Sequence, residues 1–464
     1  MLPVPRSAQI GGFLIAATMV ATVPVEYGAG PVMGALSGGL AVAAMLLFAL
    51  GAPMSRKAFV LIGLGLVLAA ALLRADWLAG TMRAIGSGSF IVALFTALAA
   101  IRYVAAGSPQ MIECGRFLAR QPPGLRYLAL TVGGHLFGLI LLYGSISLLG
   151  TLAAESAARE PDAEIRRHRL RRMLVAIQRG FAATLCWSPL AFSMAISTTL
   201  VEGASWRGVV LPCLASAALM LLAGWGMDTA FKPKLARSPA PRPVETGRWL
   251  THLRPLLILL AVVIASVSAL HLLTGVEIVG AVMTVVPLTA LAWLGLFPPP
   301  GKGRLRTRLG LFASRELAGY GGEIVLLFMA AFIGSMGAFL LVPVMAEHGP
   351  DLTRIPPALL LAALVWLIPL TGQFGMNPIL SVTLLVPLLP TPEALGVSPA
   401  AMVVAITGGW ALSGNTSPFT ASVLIVGRLG GIAARDVGLF WNGAYLMVSG
   451  ALLTGWVLAV TALI

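Results

Sequence analysis

Residues Thr407–Arg428 read TGGWALSGNTSPFTASVLIVGR, and the reading of that stretch decides the fold. Apolar residues flank it on both sides, as a membrane-crossing helix requires, while its middle holds Ser413, Gly414, Asn415, Thr416, Ser417 and Pro418. Proline has no amide hydrogen, its ring clashes with the carbonyl four residues back, and it turns the preceding residue away from helical geometry. The helix is therefore expected to break in mid-membrane. Backbone groups set free there are costly unless protein or a wet cavity covers them. A broken helix carrying hydroxyls and an amide reads as a ligand site built from two half-helix ends, whose dipoles suit small ions.

The rest of the chain fits a membrane setting. Of 464 residues, 58% are hydrophobic and 10% charged, which excludes a soluble domain and makes an all-α polytopic membrane protein the expected class. A net charge of +14 could suit nucleic acid, but the Lys and Arg sit in short clusters between apolar spans, so they read as topology signals and no nucleic-acid partner is expected. Cys114, Cys186 and Cys213 show no metal spacing and imply no disulfide frame. The opening MLPVPRSAQIGG runs into apolar sequence without a cleavage site and reads as the start of a retained first helix.

Single spans fall at about 9–26, 31–51, 58–74, 84–105, 176–202, 208–228, 254–273, 276–298, 323–345, 400–427 and 438–463. Two longer apolar segments, 126–153 and 355–390, are decided by charge. The clusters Arg166, Arg167, Arg169, Arg171 and Arg172, then Lys232, Lys234, Arg237, Arg242 and Arg248, then Lys302, Arg304, Arg306 and Arg308 all belong on the cytoplasmic side, as do Arg116, Arg120 and Arg126. Only if 126–153 enters and leaves on one face is that rule kept. The segment 355–390, between acidic-leaning loops, reads as a second re-entrant hairpin from the opposite face. About 11 transmembrane helices follow, with the N-terminus cytoplasmic, the C-terminus external, and the inner membrane of a bacterial cell as the expected location. Residues 155–173 and 303–318 read as basic surface helices.

The two halves also answer one another. Ile85-Gly86-Ser87-Gly88-Ser89-Phe90 answers the run from Ile333 to Phe339, and GHLFG (Gly134 to Gly138) answers GQFGMNP (Gly372 to Pro378). Trp187-Ser188-Pro189 with Ser193 answers Thr416-Ser417-Pro418 with Ser422. Opposed hairpins make this an inverted repeat: residues 1–228 as the N-terminal half, 229–253 as a Pro-rich basic linker, and 254–464 as the C-terminal half.

With two Ser-Pro breaks and paired hairpins, the chain resembles the ion transporter superfamily, most closely the divalent anion:sodium symporter family, and is similar to the large membrane subunit of TRAP carriers. The resemblance implies that hairpin tips and helix breaks together hold a carboxylated substrate and coupling sodium. It places Gly134, His135, Gln373 and Gly375 at positions for a coupling ion. The family's Ser-Asn-Thr signature is missing at both tips, and Asn377 offers a related amide. A histidine can exchange a proton near neutral pH, so His135 leaves proton coupling open beside sodium.

The candidate substrate residues are Ser188, Pro189, Ser193, Asn377, Ser413, Gly414, Asn415, Thr416, Ser417, Pro418 and Thr420. No Asp or Glu falls at mid-membrane in these elements, which favours an anionic or neutral solute over a bare cation. The function expected is ion-coupled secondary transport of a small organic anion by an elevator-type mechanism, in a homodimer within the lipid bilayer. No organic cofactor or metal is expected, with Na+ a possible coupling ion. A TRAP-type subunit needing protein partners is the alternative. A membrane enzyme is disfavoured, since no paired carboxylates, His-rich motif or acid-base dyad lies in the spans.

Overall fold

The computed structural model describes residues 4–232, 247–296 and 305–463, and among them the regular elements are all helical. The first part of the chain gives α1 (Arg6–Glu26), α2 (Pro31–Gly51), α3 (Met54–Leu73), α4 (Trp77–Ala106) and α5 (Pro109–Ala119). It continues with α6 (Pro123–Leu141), α7 (Tyr143–Ala158), α8 (Ala163–Thr184), α9 (Phe192–Leu200) and α10 (Trp206–Ala230). Then follow α11 (Trp249–Thr274), α12 (Ile278–Leu296), α13 (Leu305–Leu311), α14 (Gly321–His348), α15 (Pro357–Gln373) and α16 (Pro378–Leu385). The chain ends with α17 (Pro392–Leu395), α18 (Pro399–Thr416), α19 (Ala421–Gly430), α20 (Ala434–Asp436) and α21 (Gly443–Leu463). Prolines open α2, α5, α6, α15, α17 and α18, where a missing amide hydrogen costs nothing. Asp162 caps α8 by accepting from the amides of Glu164 at 2.9 Å and Ile165 at 3.1 Å.

Among the described residues, 10 helices are long and apolar enough to cross a membrane. Nine of them are the unbroken spans expected from sequence; the tenth is α6, the first leg of the expected hairpin 126–153. The other two expected spans, 176–202 and 400–427, are each divided, into α8 and α9 and into α18 and α19. The chain is thus a polytopic α-helical membrane protein with two interrupted helices.

Two compact units form, and each draws on both halves of the sequence. One comprises Met1–Val104, Val262–Asp351 and Ile379–Leu389; the other comprises Ala105–Ala261, Leu352–Pro378 and Pro390–Ile464. Of the expected linker 229–253, residues 233–246 lie outside the described residues, as do Lys234, Arg237, Arg242, Lys302 and Arg304.

In the first unit α1 packs closely on α2, where the buried hydroxyls of Thr22 and Ser37 meet at 2.7 Å. The glycines of the expected repeat motifs serve close approach. A Cβ at Gly88 of α4 would lie 2.6 Å from the Phe328 ring of α14, and one at Gly334 would lie 1.8 Å from the Thr383 hydroxyl. Of the stretch 303–318, the described residues 305–318 do not form a free surface helix. They run from α13 into a π-helical turn, Phe312–Leu317, packed so tightly on α1 that a Cβ at Gly12 would lie 2.0 Å from the Ala313 carbonyl oxygen. Buried Arg308 donates to the Leu294 carbonyl at 2.9 Å, neutralising the exposed end of α12.

The second unit holds both interrupted helices together with α6, α7, α10, α15 and α21. Its basic stretch also departs from expectation. Instead of a separate surface helix over 155–173, α7 stops at Ala158 and the arginines occupy the first half of α8, which runs unbroken to Thr184. There Arg172 makes a paired bond to Asp228, at 2.8 and 2.7 Å, so the charge is retained inside the fold.

Candidate functional site

Both prolines interrupt their helices, and the stranded carbonyls can be followed one by one. Pro189 deprives the Leu185 carbonyl of its helical donor, and the Ser193 hydroxyl donates to it instead. Pro418 does the same to Gly414, and Ser422 supplies the proton. One residue further along, the amide of Leu190 turns back to Ser188 Oγ at 3.2 Å and that of Phe419 to Ser417 Oγ at 3.4 Å. The two breaks therefore share these two hydrogen bonds, although few of their residues match. Leu185 and Gly414, which hold equivalent places, also touch: a Cβ at Gly414 would lie 3.1 Å from Leu185 Cδ1. Likewise α9 packs on α18 while α19 packs on α8, the exchange that a two-fold relation requires.

The remaining stranded carbonyls are met differently. Trp187 C=O accepts from the indole of Trp206 at 3.0 Å, and Asn415 C=O accepts from Gln178 Nε2 at 3.3 Å. Thr416 C=O is covered by backbone. A π-helical turn, Val437–Trp441, presses Gly438 against it so closely that a Cβ there would lie 2.0 Å from the oxygen. Such turns often occur at functional sites.

The second break is joined to the end of α15. Ser417 Oγ donates to the Gly372 carbonyl at 2.7 Å, and a Cβ on Gly372 would lie 2.7 Å from Ser413 Oγ. Beyond α15 the chain turns through Gly375, whose φ of +89° is open to glycine without strain, and Asn377 precedes α16. Gln373 lies at the end of α15, with its Nε2 on the Pro369 carbonyl at 3.4 Å. The structure thus brings Ser413, Ser417 and Gly372 together. Thr416 and Thr420 return their hydroxyls to the carbonyls of Leu412, at 2.9 Å, and Ser417, at 2.8 Å. Two buried oxygens of this break, Ser413 Oγ and Asn415 Oδ1, have no hydrogen-bond partner. Such atoms mark places where a ligand or water completes the bonding.

At the first break, Ser188 and Ser193 are buried, and both hydroxyls serve the local turn. His135 is tied to the same break. Its Nε2 accepts from Trp187 Nε1 at 3.2 Å, so Nδ1 carries the ring's hydrogen and donates it to the Gly180 carbonyl at 3.1 Å. Contrary to the expectation from GHLFG, this motif is not the hairpin tip. It lies inside α6, and the turn to α7 is the single residue Leu142, whose φ of 49° is rare for a leucine. The motif's glycine instead lets helices touch. A Cβ at Gly134 would lie 2.3 Å from Ile177 O, and one at Gly180 of α8 would lie 2.2 Å from Thr131 O. Structurally, Gly138 beside Thr184 corresponds to Gly372 beside Ser413, which moves the expected pairing of the two motifs by four residues.

Three buried polar residues escape sequence reasoning: Gln178, Arg179 and Asn442. The signal was present as an amide and a cation inside apolar runs, in AIQRGFAATL and FWNGAYLMV.

No family model and no curated protein matches the sequence of this chain. By fold it is similar to the YdaH transporter of Alcanivorax borkumensis, a protein of unusual topology, with 18% identity, a TM-score of 0.59, and coverage of 87% of this chain and 98% of that one. It is also similar to MtrF of Neisseria gonorrhoeae, from a class of antimetabolite efflux pumps, with 15% identity, a TM-score of 0.53, and coverage of 86% and 94%. Both are transporters. They do not support the narrower likeness to divalent anion:sodium symporters or TRAP subunits. In fold, this chain is thus similar to two membrane-transport proteins.

Proposed function

We propose that the chain is a secondary active transporter that moves a small organic anion, a carboxylate or similar, by alternating access. The observation that carries this reading is the second break, where the buried Ser413 hydroxyl stays unpartnered beside Ser417 and Gly372 and can donate to an anion, while the equally unpartnered Asn415 Oδ1 can only accept and so suits a cation. Hydroxyls together with the amino-terminal end of α19, which opens just after Thr420, can hold a carboxylate without a full counter-charge, whereas the carboxyl-terminal end of α18 favours a cation. We assign substrate contact to Ser413, Asn415, Thr416, Ser417 and Thr420 with Asn377, while Ser188 and Ser193 shape the first break.

Oxygen acceptors without a titratable partner suit a monovalent cation, so we read the coupling ion as sodium rather than a proton. His135 uses both ring nitrogens on Trp187 and Gly180, which supports a positioning role for it. Both interrupted helices with α6, α7 and α15 belong to one compact unit, and this supports their travelling together in an elevator-type movement. The arginine distribution supports a cytoplasmic N-terminus and an external C-terminus, and we take an inner membrane as the setting and a homodimer as the working assembly.

The test is a thermal-shift screen of carboxylates, sulfonates and oxyanions with and without sodium, followed by uptake into proteoliposomes. Stabilisation by one anion class that grows with sodium, and uptake by the purified chain alone, are the expected results. Uptake only after adding a soluble binding protein and a small membrane subunit would replace this reading with a TRAP-type one.

A further inference from the structure

A polar chain joins the two interrupted helices, and the transport reading above leaves it without a role. It begins at Arg179 of α8, buried in the second unit. The guanidinium places Nε on Asn442 Oδ1 at 3.0 Å, one terminal nitrogen on the Tyr127 hydroxyl at 3.2 Å and the other on the Trp441 carbonyl at 3.3 Å. Its face lies 4.1 Å from the Tyr445 ring centroid, and the Tyr445 hydroxyl donates to Met220 O at 3.0 Å. None of these partners is a carboxylate.

An arginine can only donate, so it dictates how its neighbours are oriented. Asn442 must show it Oδ1, which leaves Nδ2 for Gln178 Oε1 at 3.1 Å and for Val437 O at 3.2 Å. With Oε1 engaged, Gln178 turns Nε2 to the Asn415 carbonyl at 3.3 Å. Donation therefore runs in one direction, from a permanent charge through two amides to the second break. Low surrounding polarity strengthens each bond in such a series.

We propose that Arg179, Asn442 and Gln178 form a positioning relay for the solute site. By fixing the peptide at Asn415 they hold that residue's carboxamide, whose buried Oδ1 has no partner, in the direction from which a solute or ion uses it. None of the three touches the solute. The inference rests on the transport reading, and it extends the functional set to three residues outside both breaks.

Asn442→Asp tests it in the full-length protein. The introduced carboxylate keeps the bond from Arg179 and strengthens it, which offsets the donor lost to the Val437 carbonyl. Its second oxygen faces Gln178 Oε1, however, and forces that amide to reverse and present oxygen to the Asn415 carbonyl. Uptake is measured in sodium-loaded gradients with radiolabelled acetate, succinate, citrate, glutamate and benzoate. The expected result is a KM raised by about tenfold for the transported member, with Vmax within about twofold of wild type and no fall in Tm. Gln178→Met, which removes the donor and keeps the volume, is expected to raise KM in the same direction. An unchanged KM in both folded variants, or a loss of Vmax and Tm at constant KM, reduces the relay to scaffold and overturns the proposal while the transport reading stands. Absence of uptake by the wild type across the whole panel overturns the transport reading and the relay with it.

Discussion

The indole of Trp187 donates to Nε2 of His135 across 3.2 Å, and this fixes the imidazole as the neutral form with its hydrogen on Nδ1. A proton arriving at Nε2 would set two donors face to face. His135→Gln, whose amide can accept from Trp187 and donate to Gly180, should therefore leave the pH profile of uptake unchanged. His135→Leu should lower stability by about 1–3 kcal/mol, because an indole N–H and a carbonyl lose their partner. A pH profile that flattens in His135→Gln would restore the histidine as a proton carrier.

Ser193 and Ser422 cap equivalent carbonyls, so their alanine variants should behave alike. Each is expected to cost about 1–3 kcal/mol, the price of one buried carbonyl left bare. Unfolding in detergent, followed by circular dichroism, checks it; a difference between the two larger than the loss itself would mean that the breaks are not equivalent in energy.

Gly438→Ala should be among the most damaging small substitutions in the chain, since the new methyl would sit 2.0 Å from Thr416 O. Overpacking of this kind costs about 1–3 kcal/mol, and more where the opposing atom is backbone that cannot yield. Gly86→Ala, with no atom nearby, is the matched control and should be neutral or slightly stabilising. Equal Tm values for the two variants would contradict the close approach.

Ser417→Ala removes the bond from the second break to the Gly372 carbonyl. Uptake should be lost while the protein remains folded. Asn415→Ala keeps the backbone bond from Gln178 but deletes the free carboxamide oxygen, so its uptake should lose sodium dependence before it loses all activity. Retained sodium stimulation in Asn415→Ala, measured in the same vesicles, would remove that oxygen from the ion site.

Cys114 lies in the short helix α5, outside the spans, and burial pushes its thiol up to about 12. At pH 7 to 8 it should be inert to maleimide in the folded protein and react once denaturant is added. Mass spectrometry of labelled peptides reads this directly.

The breaks were legible because proline acts locally: Pro189 and Pro418 interrupt their helices whatever surrounds them. Ser188 and Ser417 were equally visible, as neighbours of those prolines. The hairpin tip was not, since Leu142 carries no turn signature and the glycines of GHLFG, which suggest a turn, instead admit backbone contact with α8. Residues 155–173 read as a surface helix because charge alone does not tell a solvated face from one paired inward, as Arg172 is with Asp228. Gln178, Arg179 and Asn442 stayed hidden for another reason: Arg179 and Asn442 stand 263 residues apart, and only the tertiary fold makes them neighbours.

That separation has a consequence for how the protein is made. When the ribosome has delivered Arg179 to the translocon, the oxygen and amide groups of Trp441 and Asn442 that will receive it have not yet been synthesised. Until they are, the guanidinium has only the Tyr127 hydroxyl of these hydrogen-bond partners, so α8 is expected to reach its final seat late, with the cation held near the headgroups or water in the meantime.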